Sequence, residues 1–302
     1  MAVDPQVERL CARLEALAKD RGPRLDLDAA VSQVRSRLGV DLRNARARAG
    51  FARGHLLDVA LFVPGGRGPA DEPAARQLVE LLLGPATFRD WIGEIRCAAT
   101  PRGILRVLDN QSDERTFPLA ELCPAVDAAI RGLYEGLPEK PWYWERSEPD
   151  SVVFELEVEP ALAYAAQDDV ALVSTCLPEM LHCFLRGTPF ASLRFSRHGE
   201  LFAYLKYESA RADLASAVER RDAIEQRLNQ ALLDARAGRV IGRGIGLAYA
   251  YLDLAISDVR ASIAIAKELA DEHLPEQSWL LFCDSELGDE WVGLKANTQS
   301  PP

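Results

Sequence analysis

Two aspartates of this chain stand where an apolar strand is expected: Asp58 in Leu57-Asp58-Val59-Ala60-Leu61 and Asp253 in Leu252-Asp253-Leu254-Ala255-Ile256. A charge stranded on a buried strand costs several kcal/mol, so each carboxylate needs a donor, a cation or water. One reading makes them a functional pair, because carboxylates in apolar surroundings can act as general acids or bases. The other has each accept from a neighbouring backbone N–H or an arginine and fix its own module. Strand alternation sets Tyr249, Tyr251 and Asp253 on one side, with Ala248, Ala250, Leu252, Leu254 and Ile256 on the other.

A helix pattern follows each block, and then a second short motif: Asp90-Trp91-Ile92-Gly93 after the first, Glu290-Trp291-Val292-Gly293 after the second. The Asp-to-Trp spacing is 33 residues in one and 38 in the other. The order of elements reads as a duplicated βα unit. On that reading Asp58 and Asp253 are the candidate catalytic residues of one shared cleft, and Trp91, Tyr249, Tyr251 and Trp291 are the candidate ligand-binding aromatics.

Other chemistry fits less well. Asp284, Glu286 and Asp289, with Glu290, crowd the loop after an apolar strand at 278–283 and are weak candidates for a divalent cation. No metal and no cofactor is expected, because the calcium-loop, zinc-protease and dinucleotide signatures are missing. Gly242-Arg243-Gly244-Ile245-Gly246 fails as a phosphate loop, since a helix precedes it and a strand follows; it reads as a flexible connection. Glu179-x-x-His182 is half of a di-iron pair and reads as a surface pair. Cys176 before Pro178 is a remote nucleophile candidate and reads better as a core filler.

The elements that must position these groups alternate along the chain. Helix patterns run from Pro5 and over 27–38, and the arginine-rich stretch 40–54 reads as a solvated helix end and loop. Strands are expected at 55–63, 91–97 and 104–108, the last two flanking a turn at 101–103, with helices opening at Asp71 and Pro124. Residues 136–150 hold three prolines and Trp142-Tyr143-Trp144, a domain boundary. Beyond it come a half-exposed strand at 152–158, a helix around 177–185, a hairpin of 191–196 with 201–207, and a long helix 208–237 linking two modules. Strand 247–256, helix 258–271, strand 278–283 and a frayed tail 295–302 finish the chain. The expected fold class is α+β: split βαβ (ferredoxin-like) modules with antiparallel or mixed sheets, an N-terminal helical pair and an internal duplication. The expected division is an N-terminal helical segment 1–54, a first α+β module 55–137, a linker 138–150 and a second module 151–302.

The 302 residues carry a net charge of −11, which argues against nucleic acid and anionic membranes as partners. Residues 1–54 hold eleven Arg and Lys against seven Asp and Glu, a net of +4, leaving −15 on the rest. Six scattered cysteines without a C-x-x-C pair, no basic-then-apolar leader pattern and no long apolar run suggest a cytoplasmic protein with free thiols. The expected function is non-catalytic binding or regulation, as adaptor or inhibitor of a protein partner. The alternative is an enzyme with a carboxylate-lined cleft between the duplicated βα units, assisted by a divalent metal.

Overall fold

The computed structural model describes residues 4–20, 22–99, 116–144, 147, 149–161, 163–209 and 214–302. The expected turn at 101–103 and strand 104–108 lie outside the described residues, as do residues 210–213 of the long helix. The chain divides into two units: Leu14–Leu137, and Met1–Arg13 together with Pro138–Pro302. Helices and sheets are mixed in both, as the α+β class requires. No helix among the described residues is long and apolar enough to cross a membrane.

Helix α1 (Pro5–Lys19) starts after Asp4, whose carboxylate accepts from the Gln6 N–H at 2.9 Å. Within the unit Leu14–Leu137, α2 (Leu27–Leu38) is capped by Asp26, which accepts from the Ala29 N–H, and ends at Gly39 with φ 68°. Strands β1 (Arg46–Phe51) and β2 (Leu57–Phe62) pair antiparallel. Helices α3 (Glu72–Leu83) and α4 (Pro85–Trp91) then carry the chain over to β3 (Ile92–Ala98), parallel to β2. Strand β4 (Phe117–Pro118) and α5 (Leu122–Gly136) complete the unit, with sheet order β3-β2-β1-β4. Val31, Val34, Leu57, Val59, Leu61, Leu78 and Val126 lie in its core. The stretch expected as a solvated loop is in fact an inner strand: Ala47 and Arg48 are buried, and the small alanines between the arginines let β1 fit against its neighbours.

The second unit holds β5 (Val152–Glu155), β6 (Val170–Thr175), α6 (Pro178–Leu185), β7 (Leu201–Glu208), α7 (Leu214–Ala235), β8 (Gly238–Gly246), β9 (Tyr249–Ile256), α8 (Val259–His273), β10 (Ser278–Phe282) and β11 (Trp291–Gly293). The sheet order is β11-β10-β7-β9-β8-β6-β5, antiparallel at every pairing. Helices α7 and α8 pack on each other, and α7 packs on β8 and β9. Glu225 of α7 pairs with Arg243 at 3.1 Å, which places the helices on the sheet face opposite Gly242 and Gly244. Residues 4–9 belong here too: Asp4 pairs with Lys267, Glu8 with Arg260 and Arg9 with Glu290.

Several expectations are corrected in this unit. Gly238–Gly246 is a strand, not a flexible connection. Residues 191–196 form one helical turn at Ser192–Arg194 instead of a strand, so there is no hairpin at 197–200; Phe190 and Phe195 stack there at 4.7 Å. Helix α7, about 33 Å long at 1.5 Å per residue, crosses between two strands of one sheet and does not link modules. The tail is tied down: the Trp279 indole N–H donates to the Gln299 carbonyl at 2.6 Å.

The two sequence blocks also occupy different settings. Strands β2 and β3 are direct neighbours, whereas β7 lies between β9 and β10. Trp91 closes α4 ahead of β3, whereas Trp291 opens β11, which runs antiparallel to β10.

Candidate functional site

Alternation along the antiparallel strands gathers one set of side chains on the sheet face away from α7 and α8. Strand β7 contributes Phe202, Tyr204 and Lys206; β9 contributes Tyr249, Tyr251 and Asp253; β10 contributes Trp279 and Leu281. Tyr204 stands directly opposite Asp253, and Lys206 opposite Tyr251. Strand β8 brings Gly242 opposite Asp253 and Gly244 opposite Tyr251. A Cβ at Gly242 would lie 2.5 Å from Asp253 Oδ2, so only glycine leaves room for the carboxylate. A register shift between Val240 and Gly242 adds Ile241 to the strand and turns it into the same apolar cluster as Phe202 and Ala255.

Helix α6 and the segments before and after it cover this face, but incompletely. They leave a cavity of about 380 Å³ lined by Val170, Val173, Met180, Leu181, Phe184 and Phe190 on the covering side. Tyr204, Tyr251, Asp253, Gly244 and Cys283 line it from the sheet. Its exposed rim is Gly187, Pro189, Ser285 and Gly288. Among the described residues lining it, Asp253 is the one with a formal charge.

Asp253 is 4% exposed. Its one hydrogen bond among the described residues comes from the Gln167 amide, Nε2 to Oδ1 at 3.1 Å. Gln167 follows Ala166, whose φ of 40° is left-handed, a conformation that costs an alanine energy and turns the loop inward. Burial lifts the Asp253 carboxyl to about 6; the Gln167 bond opposes this only in part. The Tyr204 hydroxyl makes no hydrogen bond among the described residues, and burial first, then the neighbouring Cys283 and Asp253, keeps it protonated. Burial also pushes the Cys283 thiol well up, with Asp253 and Asp284 adding to it, and Cys183 moves the same way. These thiols stay neutral and are poor nucleophiles.

Beside the cavity lies a hydrogen-bonded polar cluster. Asp169, with no exposed surface, accepts from the N–H groups of Ala248 and Tyr249 at 2.7 and 3.0 Å and from the Tyr251 hydroxyl. Lys206, also without exposed surface, donates to the Tyr164 carbonyl at 2.8 Å and stands 4.2 Å from the Tyr249 ring centroid. Burial lowers its ammonium to about 8, against the pull of Asp169 and Asp168.

Of the residues singled out in the sequence, Asp253 and Tyr251 line the cavity. Tyr249 holds Lys206 and packs edge-on against Trp279. Trp291 packs against the same core. Asp58 and Trp91 belong to the other unit, so the blocks do not combine within one sheet. Asp58 is half-buried, accepts from the Glu94 N–H at 2.8 Å, and is raised by burial; Trp91 packs edge-on against Tyr134. Asp284 accepts from the N–H and hydroxyl of Ser192, and the Glu286 carbonyl accepts from Arg13. Asp289 is exposed. No group of three His, Cys, Asp or Glu placed to hold a metal ion occurs among the described residues. Sequence reasoning missed Tyr204, Gln167, Lys206 and Asp169; the alternation of Phe202, Tyr204 and Lys206 in β7 was the available signal for two of them.

Comparison with family models, with curated proteins and with solved structures finds no match to this chain.

Proposed function

We propose that the chain is a non-catalytic binding protein that holds a small, mostly apolar molecule in the Asp253 cavity. One observation carries this: a roomy pocket of apolar and aromatic side chains, with a single buried carboxylate and one hydroxyl lacking an internal partner. That composition is typical of small-molecule sites, where a few polar groups orient an otherwise apolar ligand. The lining thiols are held neutral by burial, which favours binding over covalent chemistry. The β7–α7–β8–β9–α8–β10 segment is read as a ferredoxin-like module, its helix-free face widened by β6 and roofed by α6. Six free cysteines suit a cytoplasmic setting. The test is uptake of the neutral fluorophore N-phenylnaphthylamine. Wild type should bind one equivalent with enhanced emission, and Gly244→Val, which fills the floor, should not, with circular dichroism unchanged. Equal binding by both, or none by wild type, sinks the reading.

A protein partner is the second reading, favoured by β5. This strand ends the sheet, and Val152 and Val153 on it are exposed. An extended segment of another chain could pair with its free edge through main-chain hydrogen bonds. Val153→Lys should abolish capture of such a partner without touching uptake of the fluorophore.

A further inference from the structure

The sheet face carries two adjacent sets of acid and aromatic groups, and they differ in one respect. In the first, Asp169 has donors on both oxygens and a cation close by, Lys206, seated against the Tyr249 ring. In the second, Asp253 has Tyr204 directly across the ladder and Tyr251 two residues along β9, the two rings 6.3 Å apart, and no internal cation. Two buried basic groups close to this face bond to carbonyls and not to Asp253: Lys206 to that of Tyr164 and Arg194 to that of Pro189. Burial and Gln167 account for the state of Asp253, with no arginine or lysine contributing. The titratable groups that face it are Tyr204, Tyr251 and Cys283, and Asp168 and Asp284 stand behind them. On α6 the nearest are Cys183 and Glu179, with the exposed His182 turned to Phe154. The basic groups of this surround are Arg194, Lys206 and, next to the rim at Gly187, the exposed Arg186; none of them bonds Asp253 or contributes to its state.

We infer that the ligand of this cavity is a monocation with an apolar body, an amine whose ammonium pairs with Asp253 beside the Tyr204 and Tyr251 rings. The inference rests on the small-molecule reading above. A buried carboxylate without a cation is unfavourable, and a ligand that supplies the charge recovers a desolvated ion pair and a contact with aromatic rings. A ligand carboxylate meets repulsion in the same place.

The test is calorimetric titration of the whole chain with three probes of one shape: phenethylamine, phenethyl alcohol and hydrocinnamate. At pH 8 the amine should bind about tenfold or more tighter than the alcohol, with the anion weakest. Asp253→Asn should cost the amine about tenfold or more and the alcohol far less, so that the preference for the amine disappears. Between pH 8 and 5 the amine stays protonated while Asp253 takes up a proton, so its affinity for wild type should fall about tenfold and the alcohol's should not. Equal binding of amine and alcohol, or tightest binding of the anion, overturns the inference. If neither amine nor alcohol binds to protein that takes up N-phenylnaphthylamine, this inference falls and the cavity reading stands. If that fluorophore also fails to bind, both fall.

Discussion

Gly242 and Asp253 face each other across β8 and β9, and the carboxylate occupies the space a side chain at 242 would need. The same arrangement recurs twice. A Cβ at Gly246 would run into the Asp169 carboxylate, and one at Gly93 would come within 2.6 Å of Asp58 Oδ1. Each of these three carboxylates, two on strands and Asp169 in the turn before β6, thus lies over a glycine of a strand beside it. A sheet face has room for a carboxylate and its donors only where the neighbouring strand lacks a side chain.

Gly242→Ala should therefore destabilise the protein by about 1–3 kcal/mol through overpacking, read as a lower urea midpoint, and should weaken ligand uptake. Gly244→Ala is the control. Its Cβ would stand 3.4 Å from Tyr251 Cβ, an ordinary contact, so stability should move by no more than about 0.5 kcal/mol. Equal losses in the two variants would show that strand propensity, not clearance, decides.

Asp253 predicts an inverted pH dependence. Its carboxyl is raised to about 6 in the folded chain, above the value near 4 of an unfolded aspartate. The folded state therefore holds the proton more tightly. The contribution of this group is fully present below pH 4 and is lost as pH rises through 6, on the order of 3 kcal/mol in all. Asp253→Asn should be more stable than wild type at pH 8, with the gap closing toward pH 4. A constant gap across that range would refute the assignment.

Asp169→Ala should be severely destabilising, by about 3–5 kcal/mol, because it takes the acceptor from the Ala248 and Tyr249 N–H groups and the buried Tyr251 hydroxyl, and the counter-charge from the buried Lys206 ammonium. Asp169→Asn keeps an acceptor oxygen and should recover part of the loss in a thermal melt. Identical melting of the two variants would count against the network.

Asp71 supplies the ordinary acid dependence in the other unit. The Arg67 backbone N–H, at 2.7 Å, and then its guanidinium hold the carboxyl below the usual aspartate value. That stabilisation is present above pH 4 and disappears as pH falls through the lowered folded value. Asp71→Asn should lower the melting temperature at pH 7 and converge on wild type in acid. An Asn variant as stable as wild type at pH 7 would contradict this.

What was legible in the sequence followed from local periodicity. The apolar runs of β2, β9 and β10 and the helical spacing of α8 mark themselves, and period-two alternation puts Tyr251 beside Asp253. Strand β1 hid because its arginines mimic a solvated loop while its alanines do the packing. Strand β8 hid because glycine is a poor strand former, and only the carboxylates across from it explain the choice. Gln167 and Tyr204 reach Asp253 over 86 and 49 positions of chain, through a strand order that no local pattern encodes. The pairing of Asp58 with Asp253 rested on short similar blocks, and three identities in five residues do not determine which sheet a strand joins.

One unit of this protein is discontinuous in sequence: Met1–Arg13 belongs with Pro138–Pro302, and the other unit is inserted between them. Asp4 and Glu8 find their partners Lys267 and Arg260 more than 250 residues further on. On the ribosome, the first helical turns must therefore wait, unpaired, while the whole inserted unit is synthesised and free to fold. Residues 4–8 are among the last of their unit to be secured, once α8 has been made and can pair with them.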